Sequence, residues 1–415
     1  MIQSLFNSGP TPFRRVLGLG LSVGLALQAL PAQADGHGIL DIGTWDDVVA
    51  QADGGTVNFY MWGGSDRLNG WVDEYLGDAL MENYNVTLNR VPIADTAEVV
   101  NLLLAERQAG VMEDGTVDLI WINGDNYRTL RQADLLLGPW AEDIPNAVHI
   151  DWADPSIAND FGEPVEGHES PWGSAQFVFE YNSNAVTEPP LTIEALGQYI
   201  AENPGTFTYP APPDFHGLSF VKHVLHWAAE DPSVLQEPFD QAAFDEIAPR
   251  VWEFLNEIEP NLWREGTTYP PSIAALQDLL ANSEVNFSMR LDPSNAARLI
   301  AEGSYPPSIR TFVLETGTLA NKNYVAIPAN APNAAAALLA ANHIISPEFQ
   351  LIMADPERWG WNIPSAVGTW SDEQRAQLAG YDRGEATLSF EELGAHTLPE
   401  PHASWISHLE EGWME

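Results

Sequence analysis

The stretch Thr56–Asn83 fixes most of what this chain can become. Val57, Phe59 and Met61 supply one apolar face of a strand, and Tyr60 and Trp62 supply the other. Apolar residues on both faces describe a strand covered on both sides, as in the parallel sheet of an α/β protein. Gly63-Gly64 follows, where the backbone can turn and be approached closely. Ser65 is placed as an N-cap, with Asp66 complementing the helix dipole behind it. Leu68, Trp71, Val72, Tyr75, Leu76, Ala79 and Leu80 then recur at helical spacing and predict an amphipathic helix. A strand that opens into a helix N-terminus is where open α/β sheets hold ligands. On its own the stretch reads equally well as an ordinary β-α connection.

The N-terminus predicts export. Arg14-Arg15, the apolar run Val16–Leu30 and then Pro31-Ala32-Gln33-Ala34 have the order of a charged region, a short hydrophobic region and an Ala-x-Ala cleavage site. Cleavage after Ala34 starts the mature chain at Asp35 and predicts a periplasmic location. The chain has no cysteine, which excludes disulfides, thiolate metal sites and a lipid-modified cysteine anchor. Loss of Arg14 and Arg15 leaves 15 bases against 59 acids, a charge of −44. Lys222 and Lys322 are the only lysines. Such a surface repels nucleic acid and anionic lipid and suits a protein working in high salt, where self-repulsion is screened.

Strand and helix patterns alternate after the opening unit. Val86–Val91 and Val117–Ile122 predict further strands, and Thr96–Ala109 a helix between them. The turn Asn123-Gly124-Asp125-Asn126 after the third strand repeats the polar, glycine-containing corner after the first. The fold class predicted is therefore α/β, with two lobes, each with a mainly parallel sheet, and several hinge crossings. The organisation expected is a leader at 1–34, lobe 1 over 35–178, lobe 2 over 179–322, a return to lobe 1 over 323–363, and C-terminal helices at 364–415 packed on lobe 2. Strands are expected at Ala175–Asn182, Thr206–Tyr209, Glu284–Met289, Arg310–Leu314 and Tyr324–Ile327. The alanine-rich Asn333–Ile345 is expected to be helical.

Catalytic signatures are missing from the mature chain. It has no Gly-x-Ser-x-Gly elbow and no His-Glu-x-x-His, and neither lysine follows a glycine as a P-loop requires. Neighbouring acids such as Asp46-Asp47 and Glu391-Glu392 read as solvated faces. His223 and His226 lie one helical turn apart near His216, but Val224 and Trp227 beside them describe an ordinary amphipathic helix, so no metal and no cofactor are expected. Tryptophans are more informative. Trp62, Trp172 and Trp361 sit at predicted strand-end turns, Trp121 lies just inside a strand, and Tyr209 precedes a proline run. Each suits core packing; together with Gly63, Gly64, Ser65, Asn123, Asp125, Asn126, Arg290 and Asp292 they describe a polar cleft with aromatic walls. Such walls suit a small organic solute, cationic or sugar-like.

Several strings carry a resemblance: Asn58-Phe-Tyr-Met-Trp-Gly-Gly-Ser65, Leu119-Ile-Trp-Ile-Asn-Gly124, Gly138-Pro-Trp-Ala141, Pro171-Trp-Gly173, Phe179-Glu-Tyr-Asn182 and Phe207-Thr-Tyr-Pro-Ala-Pro-Pro-Asp-Phe215. With the leader and the two α/β lobes, the chain resembles periplasmic solute-binding proteins of ABC importers, of the YnjB-type subfamily and the larger, type II binding-protein fold. The resemblance implies a monomeric, non-enzymatic binder that delivers a solute to permease subunits and an ATPase, and it leaves the solute open. Iron-binding relatives use an adjacent tyrosine pair, which this chain does not have, so ferric iron is disfavoured. The rival classes are a periplasmic hydrolase, which would turn a substrate over, and a chemosensory binder, which would dock a receptor.

Overall fold

The computed structural model describes residues 43–414; the leader and its cleavage site lie outside them. Strand β1 is Thr56–Trp62, with Val57, Phe59 and Met61 fully buried. Its helix α1 runs as Asp66–Trp71, a π-helical stretch Val72–Gly77 and Asp78–Tyr84. Strand β2 (Thr87–Ile93) pairs parallel with β1 along its whole length. Helix α2 (Thr96–Gln108) leads to β3 (Leu119–Ile122), parallel to β1 on the other side. Helix α3 is Gly124–Gln132.

The next strand departs from expectation. Ser170-Pro171-Trp172-Gly173 reads as a turn, yet Glu169–Gln176 is a strand, β4, followed after Phe177 by β5 (Val178–Asn182). A proline removes a ladder donor and is tolerated at a bulge. The register supplies one there: Asn323 faces Gly173 and Tyr324 faces Pro171, so Trp172 is skipped. The partner is β8 (Thr318–Ala326), much longer than the expected Tyr324–Ile327. It is antiparallel to β4 and, at its far end, to β3. The first sheet is thus β2-β1-β3-β8-β4.

The second sheet has β5 at its centre, flanked antiparallel by β6 (Phe287–Arg290) and β7 (Ile309–Phe312). A mainly parallel sheet therefore describes the first lobe and not the second. Thr206–Tyr209 is not a strand; its backbone is held instead by Asn286 N donating to Thr206 O (2.7 Å) and Trp263 N donating to Phe207 O (2.8 Å). Helix α4 (Phe215–Ala228) covers this sheet, with Phe220 and Val224 in one core with Phe177, Phe179 and Phe287.

The two lobes are joined by β4-β5, by β8, and by a third segment in which Ser174 N donates to Asn362 O (2.9 Å). Beyond β8's first residues lies β9 (Thr397–Pro399), parallel to it at Thr318–Ala320. The C-terminal segment contributes Trp405 and Leu409 to the core of the second sheet. In the first lobe, helix α5 (Ala334–Ile344) is buried almost all round against Val57, Phe59 and Met61. Burying each such leucine or phenylalanine is worth about 1.5–3 kcal/mol, so a chain without disulfides is held by a core on each face of the first sheet and one around the second. No helix among the described residues is long and apolar enough to cross a membrane.

Candidate functional site

Parallel pairing of β1 and β3, Phe59 to Leu119 and Tyr60 to Ile120, brings their C-terminal turns side by side. Trp62–Ser65 and Asn123–Asn126 therefore share one edge of the first lobe. The glycines serve proximity and not a left-handed turn: neither Gly63 nor Gly64 has positive φ. A Cβ on Gly63 would overlap Pro92, and one on Gly64 would overlap the indole of Trp62. The Trp62 ring thus lies over Gly64, with 44% of the residue exposed. Gly63 donates to Ile93 O (2.9 Å) and accepts from Asn69 Nδ2 (2.9 Å), so its backbone is engaged within the lobe and is not open to a solute. Ser65 caps α1 by accepting from Leu68 N (3.3 Å), leaving its hydroxyl proton to donate outward.

At the second turn, Asn123 makes no side-chain cap. The Gly124 amide donates to Asp160 Oδ2 (2.6 Å), so the N-terminus of α3 is already occupied by a carboxyl group. Asp160 and Glu169 are both buried, and burial first pushes each carboxyl well above the usual range, helped by the charges of Glu400 and Glu163 on Asp160 and of Asp160 on Glu169. Asp125 is exposed and pairs with Arg128 (3.3 Å).

Across the crevice, β6 runs back toward the crossing and ends at Arg290, opposite Val178 at the start of β5. Asp292 accepts from the backbone and hydroxyl of Ser294 (3.0 and 2.7 Å). The lobes meet here. Arg67, two residues past Ser65, pairs with Glu302 of the second lobe (3.2 Å) and feels the charge of Asp292; burial, with Arg298, lowers its pKa. Thus the turn at Ser65 and the turn at Arg290–Asp292 face each other. Among the described residues Arg290 makes no ion pair, its Nε is buried without a hydrogen-bond partner, and its charge reaches the buried Glu180. His216 lies close enough to feel that charge; burial first, then Arg290, pushes its pKa down to about 3, so it is neutral. Phe215 beside it is 44% exposed.

The aromatic wall is partly as expected in place and partly core. Trp361 packs on Trp121 (ring centroids 5.8 Å) and on Trp172 (6.0 Å), and both Trp121 and Trp361 are half-buried. Trp172 itself is fully buried, edge-on to Phe59 and Trp121; it supports the wall from behind and cannot touch a solute. Tyr209 is in the wrong place for the cleft. It is buried in the second core on Phe220 (4.7 Å), its hydroxyl accepting from Trp413 Nε1 (3.1 Å). With no strand to fix its alternation, the side chain turns inward to α4.

Sequence reasoning passed over the residues that join the lobes behind the crevice. Lys222 Nζ lies 2.6 Å from Glu400 Oε2, and Asn321 Nδ2 donates to Glu400 Oε1 (3.0 Å), all buried. Phe161 of the first lobe approaches the same ammonium (5.4 Å) and accepts from Ala403 N (2.9 Å) through its carbonyl. The scarcity of lysine was the one signal available for this. The histidines are structural: His223 holds Ser219 O at Nδ1 (2.6 Å) and accepts Leu319 N at Nε2 (3.0 Å), and His226 bonds Pro399 O (3.1 Å). They stitch α4 to β8 and β9.

Comparison with known proteins agrees with this architecture. The bacterial extracellular solute-binding protein family matches residues 75–366. Protein YnjB of Escherichia coli strain K12 is 38% identical over 372 residues, 89% of this chain and 93% of that protein. Among solved structures, an ABC transporter protein of Clostridium perfringens superposes with a TM-score of 0.62 at 14% identity, over 86% of this chain and 98% of that one. The spermidine/putrescine substrate-binding protein PotD of Streptococcus pneumoniae gives 0.61 at 15%, over 86% and 97%. These neighbours share the fold, an α/β binding protein of type II with two lobes. The wide match and the YnjB identity together place the chain in the bacterial extracellular solute-binding protein family.

Proposed function

We propose that this protein, as the substrate-binding component of an ABC transporter, closes its lobes over one small organic solute that carries a carboxylate. The carrying observation is Arg290, a guanidinium at the crevice end of the second sheet that makes no ion pair among the described residues, although its charge reaches the buried Glu180. A planar fork left free among so many carboxylates is suited to a carboxylate from outside. The Ser65 hydroxyl and the amides of Asn123 and Asn126 offer neutral donors and acceptors from the other side. The faces of Trp62, Trp121 and Trp361 accommodate the remainder of the solute, and an ammonium or a sugar ring both suit them.

The protein acts in the periplasm as a monomer and hands its solute unchanged to permease subunits, using a surface that spans both closed lobes. A hydrolase would require paired carboxylates open to the crevice. The strongly raised pair, Asp160 and Glu169, is buried inside the first lobe. The test is a thermal-shift panel of amino acids, amines and sugars on the mature protein in salt. Ligand at about 100 times its dissociation constant adds roughly 2.7 kcal/mol. A carboxylate-bearing compound is expected to shift the wild type, Arg290→Lys less, and Arg290→Met hardly at all, a loss of roughly 30-fold or more in affinity. A shift that survives Arg290→Met, or catalytic consumption of the compound, overturns the proposal.

A further inference from the structure

The crossing strands carry a second feature that the crevice does not use. Residues 320 and 322 of β8 lie directly opposite Gln176 and Ser174 of β4, so these four side chains project from one face of the two-stranded crossing. They line a half-open cavity of about 360 Å3 bounded on its far side by the C-terminal segment. Its walls are apolar, from Leu378, Phe390 and Leu393, and no aspartate or glutamate lines it. In a chain with 59 acids, an acid-free cavity around a lysine is a marked local reversal.

Gln176 is satisfied by Leu393 O and His396 O, but two of the cavity's hydroxyls have no partner. The Oγ atoms of Ser174 and Ser365 are buried and make no hydrogen bond. Ser174 as a residue is only 9% exposed. Lys322 is half-buried and makes no hydrogen bond or ion pair among the described residues, whereas the other lysine, Lys222, is held by Glu400 at 2.6 Å. A buried hydroxyl left unpaired costs about 1–3 kcal/mol. A larger cavity of about 570 Å3 lies on the other side of Lys322, but Asp154, Asp160 and Glu400 line it and would repel an anion.

We infer that the cavity at Lys322, Ser174 and Ser365 is a second binding site, for a small monocarboxylate with a short apolar body. The carboxylate meets the ammonium of Lys322 and the two serine hydroxyls, and the apolar body lies against Leu378, Phe390 and Leu393. Burial lowers the lysine's pKa, with Asp154 opposing, and an anion in the cavity would restore the charged form. Neither Arg290 nor any residue of the turn at Trp62–Ser65 lines the cavity.

Calorimetric titration of the full mature chain with sodium butanoate, against 1-butanol and sodium chloride, tests it. Butanoate is expected to bind one per chain at roughly millimolar strength. Lys322→Met should weaken it about tenfold or more, Ser174→Ala with Ser365→Ala should weaken it severalfold, and Lys322→Arg should retain it. 1-Butanol should not bind, and Arg290→Met should leave the butanoate signal in place. If Lys322→Met does not fold, the double serine variant decides. No binding to the folded wild type, a signal unchanged by the serine pair or by Lys322→Met, or one lost in Arg290→Met, overturns the inference. Chloride binding as tightly as butanoate overturns the apolar-body assignment.

Discussion

Replacing Lys222 with methionine tests what joins the two lobes behind the crevice. The ammonium lies 2.6 Å from Glu400 Oε2, with side-chain exposures of 1% and 2%. The rings of Phe161 and Phe215, one from each lobe, approach it at 5.4 and 5.2 Å. Methionine keeps the apolar stem and removes the charge, so packing changes little. Glu400 is then left buried with Asn321 Nδ2 as its remaining side-chain donor. Removing one partner of a buried pair costs about 3–5 kcal/mol because the other charge is uncompensated. Against a total stability of about 5–15 kcal/mol, that is a large fraction. Urea unfolding at fixed salt reads it as a lower midpoint with little change in slope. The double variant Lys222→Met/Glu400→Leu should recover most of the loss, since an apolar pair of similar volume is often neutral relative to a buried ion pair. A single-variant cost below about 1 kcal/mol, or a double variant no better than the single, refutes the reasoning.

Three further outcomes follow from the same geometry. Gly217→Ala places a Cβ onto the Pro210 carbonyl oxygen, so it should cost about 1–3 kcal/mol and lower the melting temperature, unlike Gly70→Ala, where the space is open. Gly64→Ala should displace the Trp62 indole, read as a change in tryptophan fluorescence and weaker solute binding with stability nearly kept; unchanged fluorescence would show the ring is not seated there. Burial holds His223 neutral, its pKa pushed down to about 3 despite the bond to Ser219 O. The unfolded chain gains a proton below pH about 6.5 that the folded one refuses, so this group makes stability fall as pH drops toward 3. Between pH 7 and 5 the loss is about 2 kcal/mol, and His223→Gln should lose correspondingly less over that interval; parallel pH profiles would contradict the assignment. The raised Asp160 and Glu169 act in the opposite direction and are common to both proteins.

The first lobe was legible because its signals are local. Val57–Met61, the Ser65 cap and the stripe from Leu68 to Leu80 each lie within a few turns of one another. The crossing was less so. Pro171 and Gly173 in β4 carry turn chemistry, and only pairing with residues 150 positions later makes the segment a strand. Tyr209 shows the limit for side chains: an aromatic before prolines faces a crevice or a core with equal ease, and the neighbouring Phe220 decided it. Asp160, Phe161 and Glu400 could not be found at all from spacing, since their partners Gly124, Lys222 and Asn321 lie far along the chain. Arg290 was singled out by its position at the end of the predicted strand Glu284–Met289, a signal local enough to read from the sequence.

The claim that matters most is that the crevice between Trp62–Ser65 and Arg290–Asp292 holds one small carboxylate. Native mass spectrometry of the mature protein, purified without denaturation, tests it directly. One bound organic acid per chain, retained by the wild type and lost from Arg290→Met while that variant stays folded, is the expected result. Protein that carries no small molecule and captures none from a metabolite extract, or one whose bound mass survives Arg290→Met, contradicts the account.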